Sequence, residues 1–260
     1  MKKFRFLFLV PAIFSMVACG MGKEINADKA KEIAKGMKDV KQPEDYEATI
    51  KIVSYDAEDK TNTKAEYSLK KNSVGEFYAA IKTETTGDKE DNYDMDVAVY
   101  LVNNDKYDQV VYMKSYDNKD KKDNIEVIVK KGNELEYAQA FAEIQAEIGS
   151  LTMYLSGADQ LESIIDAAEK EAKDNDNVTV KYYSNGSQNL SIKEIAKETD
   201  DKDAQFGEST ITFDKGLLVS SETKMESKAG DKLEMSIKVT YPSSVKISLP
   251  SGWESYIDAK

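Results

Sequence analysis

The 260-residue chain contains no histidine and a single cysteine, Cys19. Without histidine, neither a Ser-His-Asp nor a Cys-His nucleophilic centre can be built, and the commonest zinc ligand is missing. One cysteine cannot form a disulfide within the chain. No glycine-rich phosphate-binding loop occurs either. These absences predict a protein that is not an enzyme and that needs no cofactor or metal.

The chain is also poor in the features that separate domains or recognise nucleic acid. No linker rich in proline, glycine and serine interrupts residues 43–250, which favours a single domain over residues 26–260. The formal net charge is −12, with both signs mixed along the chain. A strongly acidic surface argues against nucleic acid and against flat adsorption on anionic lipid headgroups.

Acidic clusters are frequent, as in Asp94 with Asp96 and Asp200 with Asp201, but they carry no metal-site pattern. The runs 117–120 and 174–177 resemble calcium loops only loosely, because neither has the glycine at position six and the glutamate at position twelve of an EF-hand. We interpret all of these clusters as solvated turns and strand faces.

The N-terminal segment has the layout of a secretory signal. Its basic residues Lys2, Lys3 and Arg5 precede an apolar run over residues 6–18. A membrane-spanning helix needs about 18–20 apolar residues, more than this run offers, and Pro11 would break such a helix. Residues 1–18 are therefore predicted to be a signal peptide.

The signal ends in Met16-Val17-Ala18-Cys19-Gly20, with a small residue before the cysteine and glycine after it. This pattern resembles the lipobox of bacterial lipoproteins, although Met16 stands where leucine is usual. The resemblance implies that Cys19 becomes the first mature residue and carries acyl chains of the palmitate type, with residues 19–25 as a lipidated tether. Two or more acyl chains anchor a protein stably, which predicts attachment to the extracytoplasmic face of the cell membrane. The alternative is a thiol of no importance in a signal peptide that is cut further on.

Hydrophobic periodicity predicts two groups of strands with helices before and between them. Asn26 can cap an N-terminal helix. From Tyr46 to Val129 apolar and polar residues alternate with period two, as in half-buried strands, and the alternation returns from Val178 to Leu249. Between these groups the period becomes helical, over about residues 134–148 and 157–173.

Two turns of the second strand group have hairpin chemistry. Asn185-Gly186 suits a type I′ turn, in which both central residues have positive φ. Asp214-Lys215-Gly216 predicts another hairpin.

This order of elements resembles the lipoprotein carriers of the LolA/LolB type and the related mycobacterial LppX/LprG lipoproteins. The resemblance implies an α+β fold, a large curved antiparallel half-barrel of about twelve strands with the N-terminal helix and the central helical pair on its concave face. It also implies an apolar cavity between the helices and the sheet. The residues predicted to line that cavity are Phe77, Val97, Val99, Phe141, Ile144, Ile148 and Leu151.

The sequence therefore favours a membrane-anchored, non-enzymatic lipoprotein that binds or transfers a lipid, a glycolipid or another apolar ligand. The alternative is a surface interaction or adhesion module that binds a protein or glycan and has a fully packed core. The fifteen tyrosines could supply a sugar-stacking surface, although strand propensity also explains them.

The lipid anchor is tested by replacing Cys19 with serine. We expect the variant to lose lipid attachment and to leave the membrane fraction, because serine offers no thiol to acylate. Fractionation with metabolic labelling by a palmitate analogue measures both effects. A variant that stays membrane-bound at the wild-type size would show that Cys19 is not the anchor.

Overall fold

The computed structural model describes residues 22–87, 93–117, 122–152, 160–200 and 204–257, which form twelve strands and three α-helices. The helices are α1 (Ala27–Met37), α2 (Glu134–Thr152) and α3 (Leu161–Asp174). The strands of the first half are β1 (Lys23–Ile25), β2 (Tyr46–Asp56), β3 (Thr61–Lys71), β4 (Phe77–Thr86), β5 (Tyr93–Asn104), β6 (Asp108–Asp117) and β7 (Lys122–Val129). Those of the second half are β8 (Val178–Gly186), β9 (Asn189–Ala196), β10 (Gln205–Asp214), β11 (Leu217–Ser227) and β12 (Lys232–Thr240).

All twelve strands belong to one open, antiparallel sheet with the order β1-β8-β9-β10-β11-β12-β2-β3-β4-β5-β6-β7. Strands that follow one another in the chain are mostly neighbours in this order, as expected for a meander with short turns. The predicted α+β fold class, a large antiparallel sheet with an N-terminal helix and a central helical pair, is confirmed.

The chain divides into two compact units. Unit 1 comprises Met1–Gln42, Ile52–Lys60 and Leu155–Lys238, and unit 2 comprises Pro43–Lys51, Thr61–Tyr154 and Val239–Lys260. Helices α1 and α3 belong to unit 1, whereas α2 belongs to unit 2. The two helices of the predicted central pair, α2 and α3, therefore belong to different units.

Helix α1 begins where the sequence predicts. The Asn26 side chain accepts a hydrogen bond from the Lys29 backbone N–H at 2.9 Å, which caps the first turn. One side of the helix is buried (Ala30, Ile33, Ala34 and Met37). The helix packs against α3 and against β8 and β9, and the Lys31 ammonium pairs with the Asp166 carboxylate of α3 at 2.7 Å. The two helices thus cover one side of the sheet in unit 1.

Both predicted hairpins form, but only one of them turns at the predicted residues. Between β10 and β11, Lys215 and Gly216 have φ values of 51° and 75°, as a type I′ turn requires. The hairpin predicted at Asn185-Gly186 also forms, between β8 and β9, but its turn lies at residues 187–188, and Gly186 already pairs with Asn189. A register shift between Tyr183 and Gly186 takes up Asn185 instead.

Two further segments differ from the sequence interpretation. Residues 23–25, predicted as tether, form β1 and pair with β8. The alternating segment 245–249, predicted as a strand, has no strand structure. Its alternation reflects one-sided burial, because Val245 and Ile247 pack against Val102 without joining a ladder.

Two glycine-to-alanine substitutions are expected to change the free energy of unfolding in opposite directions. A Cβ at Gly207 would lie 1.9 Å from the Lys224 carbonyl oxygen, and φ is 151°. We expect Gly207→Ala to lower the free energy of unfolding by about 3 kcal/mol. Gly36 in α1 has nothing within 4 Å of its Cβ position, so Gly36→Ala should stabilise by about 0.5–1 kcal/mol. Urea unfolding measures both, and destabilisation of similar size at the two sites would contradict this geometry.

Candidate functional site

One side of the sheet in unit 2 carries three adjacent cross-strand rows of apolar side chains, here called the apolar face. Residues directly opposite in an antiparallel ladder point to the same side, so the register defines each row. The first row is Phe77, Leu101, Val111 and Ile128; the second is Leu69, Ala79, Val99 and Met113; the third is Tyr67, Ile81 and Val97.

Burial decreases from the first row to the third. The four side chains of the first row are at most 6% exposed. In the second row Leu69 is buried, whereas Val99 and Met113 are half-buried. All three members of the third row are half-buried. The apolar face therefore runs from a closed core into side chains that solvent or a ligand can reach.

Helix α2 begins at the closed end of this face. The Tyr137 hydroxyl donates a hydrogen bond to Oε1 of Gln109, which lies two residues before Val111 on the same side of β6. Tyr137 is 6% exposed, and burial raises the pKa of its phenol. Phe141 stacks on Tyr137 with ring centroids 5.9 Å apart, and Ile144 is buried. These contacts place the first turns of α2 against β6 and β7.

The structure brings together some of the predicted lining residues. Phe77, Val97 and Val99 share the apolar face, but Phe77 lies in its closed row and acts as a core residue. Phe141 and Ile144 belong to the part of α2 that has just been described. Ile148 and Leu151 lie on α2 where the side chains fall outside the described part of the structure.

Sequence reasoning missed eight of the eleven members of the face, among them the half-buried Tyr67, Ile81 and Met113. The sequence did contain a signal for these three residues, because each belongs to a period-two alternation like the one that identified Val97 and Val99. What the sequence did not contain is the register, which decides which residues of neighbouring strands form one row.

The opposite side of the same strands carries a row of tyrosines. Tyr78, Tyr100 and Tyr112 lie opposite one another on β4, β5 and β6. Their ring centroids are 4.7 and 5.6 Å apart, with interplanar angles of 51° and 83°. Tyr78 and Tyr100 also pack against the C-terminal segment 245–249. Rings tilted against each other in this way pack the protein's own side chains and present no flat surface for stacking a sugar.

The predicted signal peptide, residues 1–18, and Cys19 lie outside the described residues. None of the described helices is both long and apolar enough to cross a membrane.

No protein-family model and no curated protein matches the chain. Among solved structures, it is similar to a beta-barrel-like protein of domain of unknown function DUF1849 from Brucella abortus, with 9% identity, a TM-score of 0.25 and coverage of 77% of this chain and 99% of that one. A DUF1329 family protein from Desulfovibrio piger has 12% identity and a TM-score of 0.24, with 85% and 95% coverage.

A third similar structure is a domain from Vibrio parahaemolyticus described as an outer membrane lipoprotein-sorting protein, with 11% identity, a TM-score of 0.23 and coverage of 89% of this chain and 99% of that one. Because these identities and TM-scores are low, what the three proteins bind carries no argument about what this chain binds.

Truncation of two face residues tests the gradient of burial. We expect Phe77→Ala to lower the free energy of unfolding by about 3–5 kcal/mol, because it empties a closed core position. Val99→Ala removes a half-buried side chain and should cost about 1 kcal/mol. Chemical unfolding of the two variants makes the comparison. Equal losses would show that Val99 is as enclosed as Phe77.

Proposed function

We propose that this protein is a membrane-anchored, non-enzymatic lipoprotein on the extracytoplasmic side, which binds an acyl chain on the apolar face of unit 2. The observation that carries the proposal is the accessibility of the second and third rows of that face. Val97, Val99, Ile81 and Met113 are apolar and adjacent, yet only half-buried. Soluble proteins rarely leave large contiguous apolar surfaces without a use for them.

The chemistry of the face suits an acyl chain. Its accessible members include neither lysine nor arginine, and they follow one another across three neighbouring strands, β4, β5 and β6. A chain lying along the rows would gain roughly 0.8 kcal/mol for each CH₂ group that it buries. Contact with about ten such groups would exceed the free energy lost when a ligand is immobilised, so useful affinity is expected.

Two parts of the proposal, the lipid anchor and the non-enzymatic role, are supported by the sequence. The lipobox around Cys19 supports attachment to the membrane, and a protein held there meets acyl chains as its nearest apolar ligands. The lack of histidine in the chain supports a binding role rather than a catalytic one.

The proposal is tested by purifying the mature protein gently from bacterial membranes and examining it by native mass spectrometry for bound lipid. After delipidation, binding of a fluorescent palmitate analogue is measured on the wild type and on the double variant Val97→Thr/Val99→Thr. We expect affinity to fall roughly tenfold, because two hydroxyls are placed against the acyl chain.

A matched control is Val127→Thr, which makes the same change on the opposite side of the sheet. Val127 is half-buried and lies opposite Tyr112, so its variant should bind the probe like the wild type. A purified protein without lipid, together with equal affinity in all three proteins, would refute the proposed ligand face.

A further inference from the structure

Unit 1 contains a cross-strand row whose centre is polar. Glu194, Ser209 and Thr223 lie directly opposite one another on β9, β10 and β11. Val180 on β8 and Met235 on β12 complete the row. The five side chains therefore point to the same side of the sheet, with the polar groups in the middle.

On this side of the sheet, one of the two neighbouring rows belongs to the hydrophobic core. The adjacent row contains four apolar side chains that are at most 6% exposed, namely Tyr182, Ile192, Ile211 and Ile237. Helices α1 and α3 cover its β8 end. The Tyr182 hydroxyl bonds to Glu169 of α3, which places this helix on the same side as the polar row. Polar side chains in such a position require partners, since burying them without hydrogen bonds costs free energy.

Two groups of the row have no such partner among the described residues. Thr223 is only 1% exposed, and its Oγ1 makes no hydrogen bond there. The same is true of the buried Oε2 of Glu194. Natural folds retain buried polar atoms of this kind where something else satisfies them.

Among the described residues, no lysine or arginine pairs with the Glu194 carboxylate. Burial raises the pKa of its carboxyl to about 6, and the nearby carboxylate of Glu171 on α3 contributes to the rise. The carboxyl is thus still largely ionised at neutral pH. The lysine next in sequence does not serve as its counter-ion, because Lys193 points to the other side of β9 and pairs with Glu208 at 2.7 Å.

Small residues lie beside these groups. Ser209 separates Glu194 from Thr223, and Gly207, two residues earlier on the same strand, lies opposite Ala196. Strands are about 4.8 Å apart, so Glu194 and Thr223 are roughly 10 Å apart at their Cα atoms. A small cation above Ser209 would be within hydrogen-bond reach of both side chains.

We propose that the row Glu194–Ser209–Thr223 binds a primary ammonium group, the Glu194 carboxylate supplying the counter-charge and the Thr223 hydroxyl accepting a hydrogen bond. An ammonium has three donors and no acceptor, which matches acceptor oxygens on two sides. The flanking Met225 and Met235 provide apolar contact for a carbon chain attached to the amine.

A divalent metal fits this row less well. Calcium takes 6–8 oxygen ligands, and no described group of three histidine, cysteine or acidic side chains is placed to hold a metal ion. The site lies in unit 1, so it stands whether or not unit 2 binds acyl chains.

The test uses the lipidated protein in phosphatidylcholine nanodiscs with ¹³C-methyl methionine, followed by NMR. We expect n-butylammonium to shift the Met225 and Met235 signals saturably and n-butanol to leave them unchanged. Glu194→Gln should weaken butylammonium binding at least tenfold, and Thr223→Val several-fold. The control Glu226→Gln, which removes an exposed carboxylate from β11, should bind as the wild type does.

Folding is monitored in the same samples. Because Oε2 of the half-buried Glu194 has no hydrogen-bond partner among the described residues, Glu194→Gln should unfold at a temperature no lower than the wild type, which separates lost binding from lost structure. Ethanolammonium carries the same ammonium group but lacks the apolar butyl chain. If it binds as tightly as butylammonium, the ligand is a free amine; if it binds more weakly, the ligand is an amphiphile. Equal shifts with butanol, unchanged affinity in Glu194→Gln, or the same shifts from calcium alone would overturn the proposal.

Discussion

The alternation of side chains across an antiparallel ladder is the constraint on which both candidate sites depend. Because residues directly opposite share a side of the sheet, the register converts separate strand patterns into continuous rows. In unit 2 this joins Ile81 on β4 to Val97 on β5. In unit 1 it joins Glu194 on β9 to Ser209 on β10. A shift by one residue in any strand would move its members to the opposite side.

The two units use this constraint for different chemistry. In unit 2 the rows are apolar on β4 and β5, and their side chains become more accessible away from the start of α2. In unit 1 the helices α1 and α3 cover the β8 end of the face, and the polar side chains of Glu194 and Thr223 interrupt its apolar rows.

Much of the fold was predictable because its signals are local. The Asn26 cap and the Lys215-Gly216 turn depend only on neighbouring backbone groups, and both occur as expected. The hairpin predicted at Asn185-Gly186 forms, but its turn is displaced by two residues, and the register shifts between Tyr183 and Gly186. The segment 245–249 failed because one-sided burial produces the same alternation as a strand. For the site, period two identified Val97 and Val99 but could not rank them against Phe77, whose closure depends on neighbouring elements.

The sequence by itself determined the α+β composition, the Asn26 cap of α1, the absence of histidine chemistry and the lipobox pattern at Cys19, because each follows from residue type and near neighbours. Only the tertiary structure decided which strands pair and in what register, which members of an apolar row are closed, and that Glu194 and Thr223 lie in one cross-strand row. The physical reason is that burial and partnership arise between residues distant in the chain, and local periodicity carries no information about them.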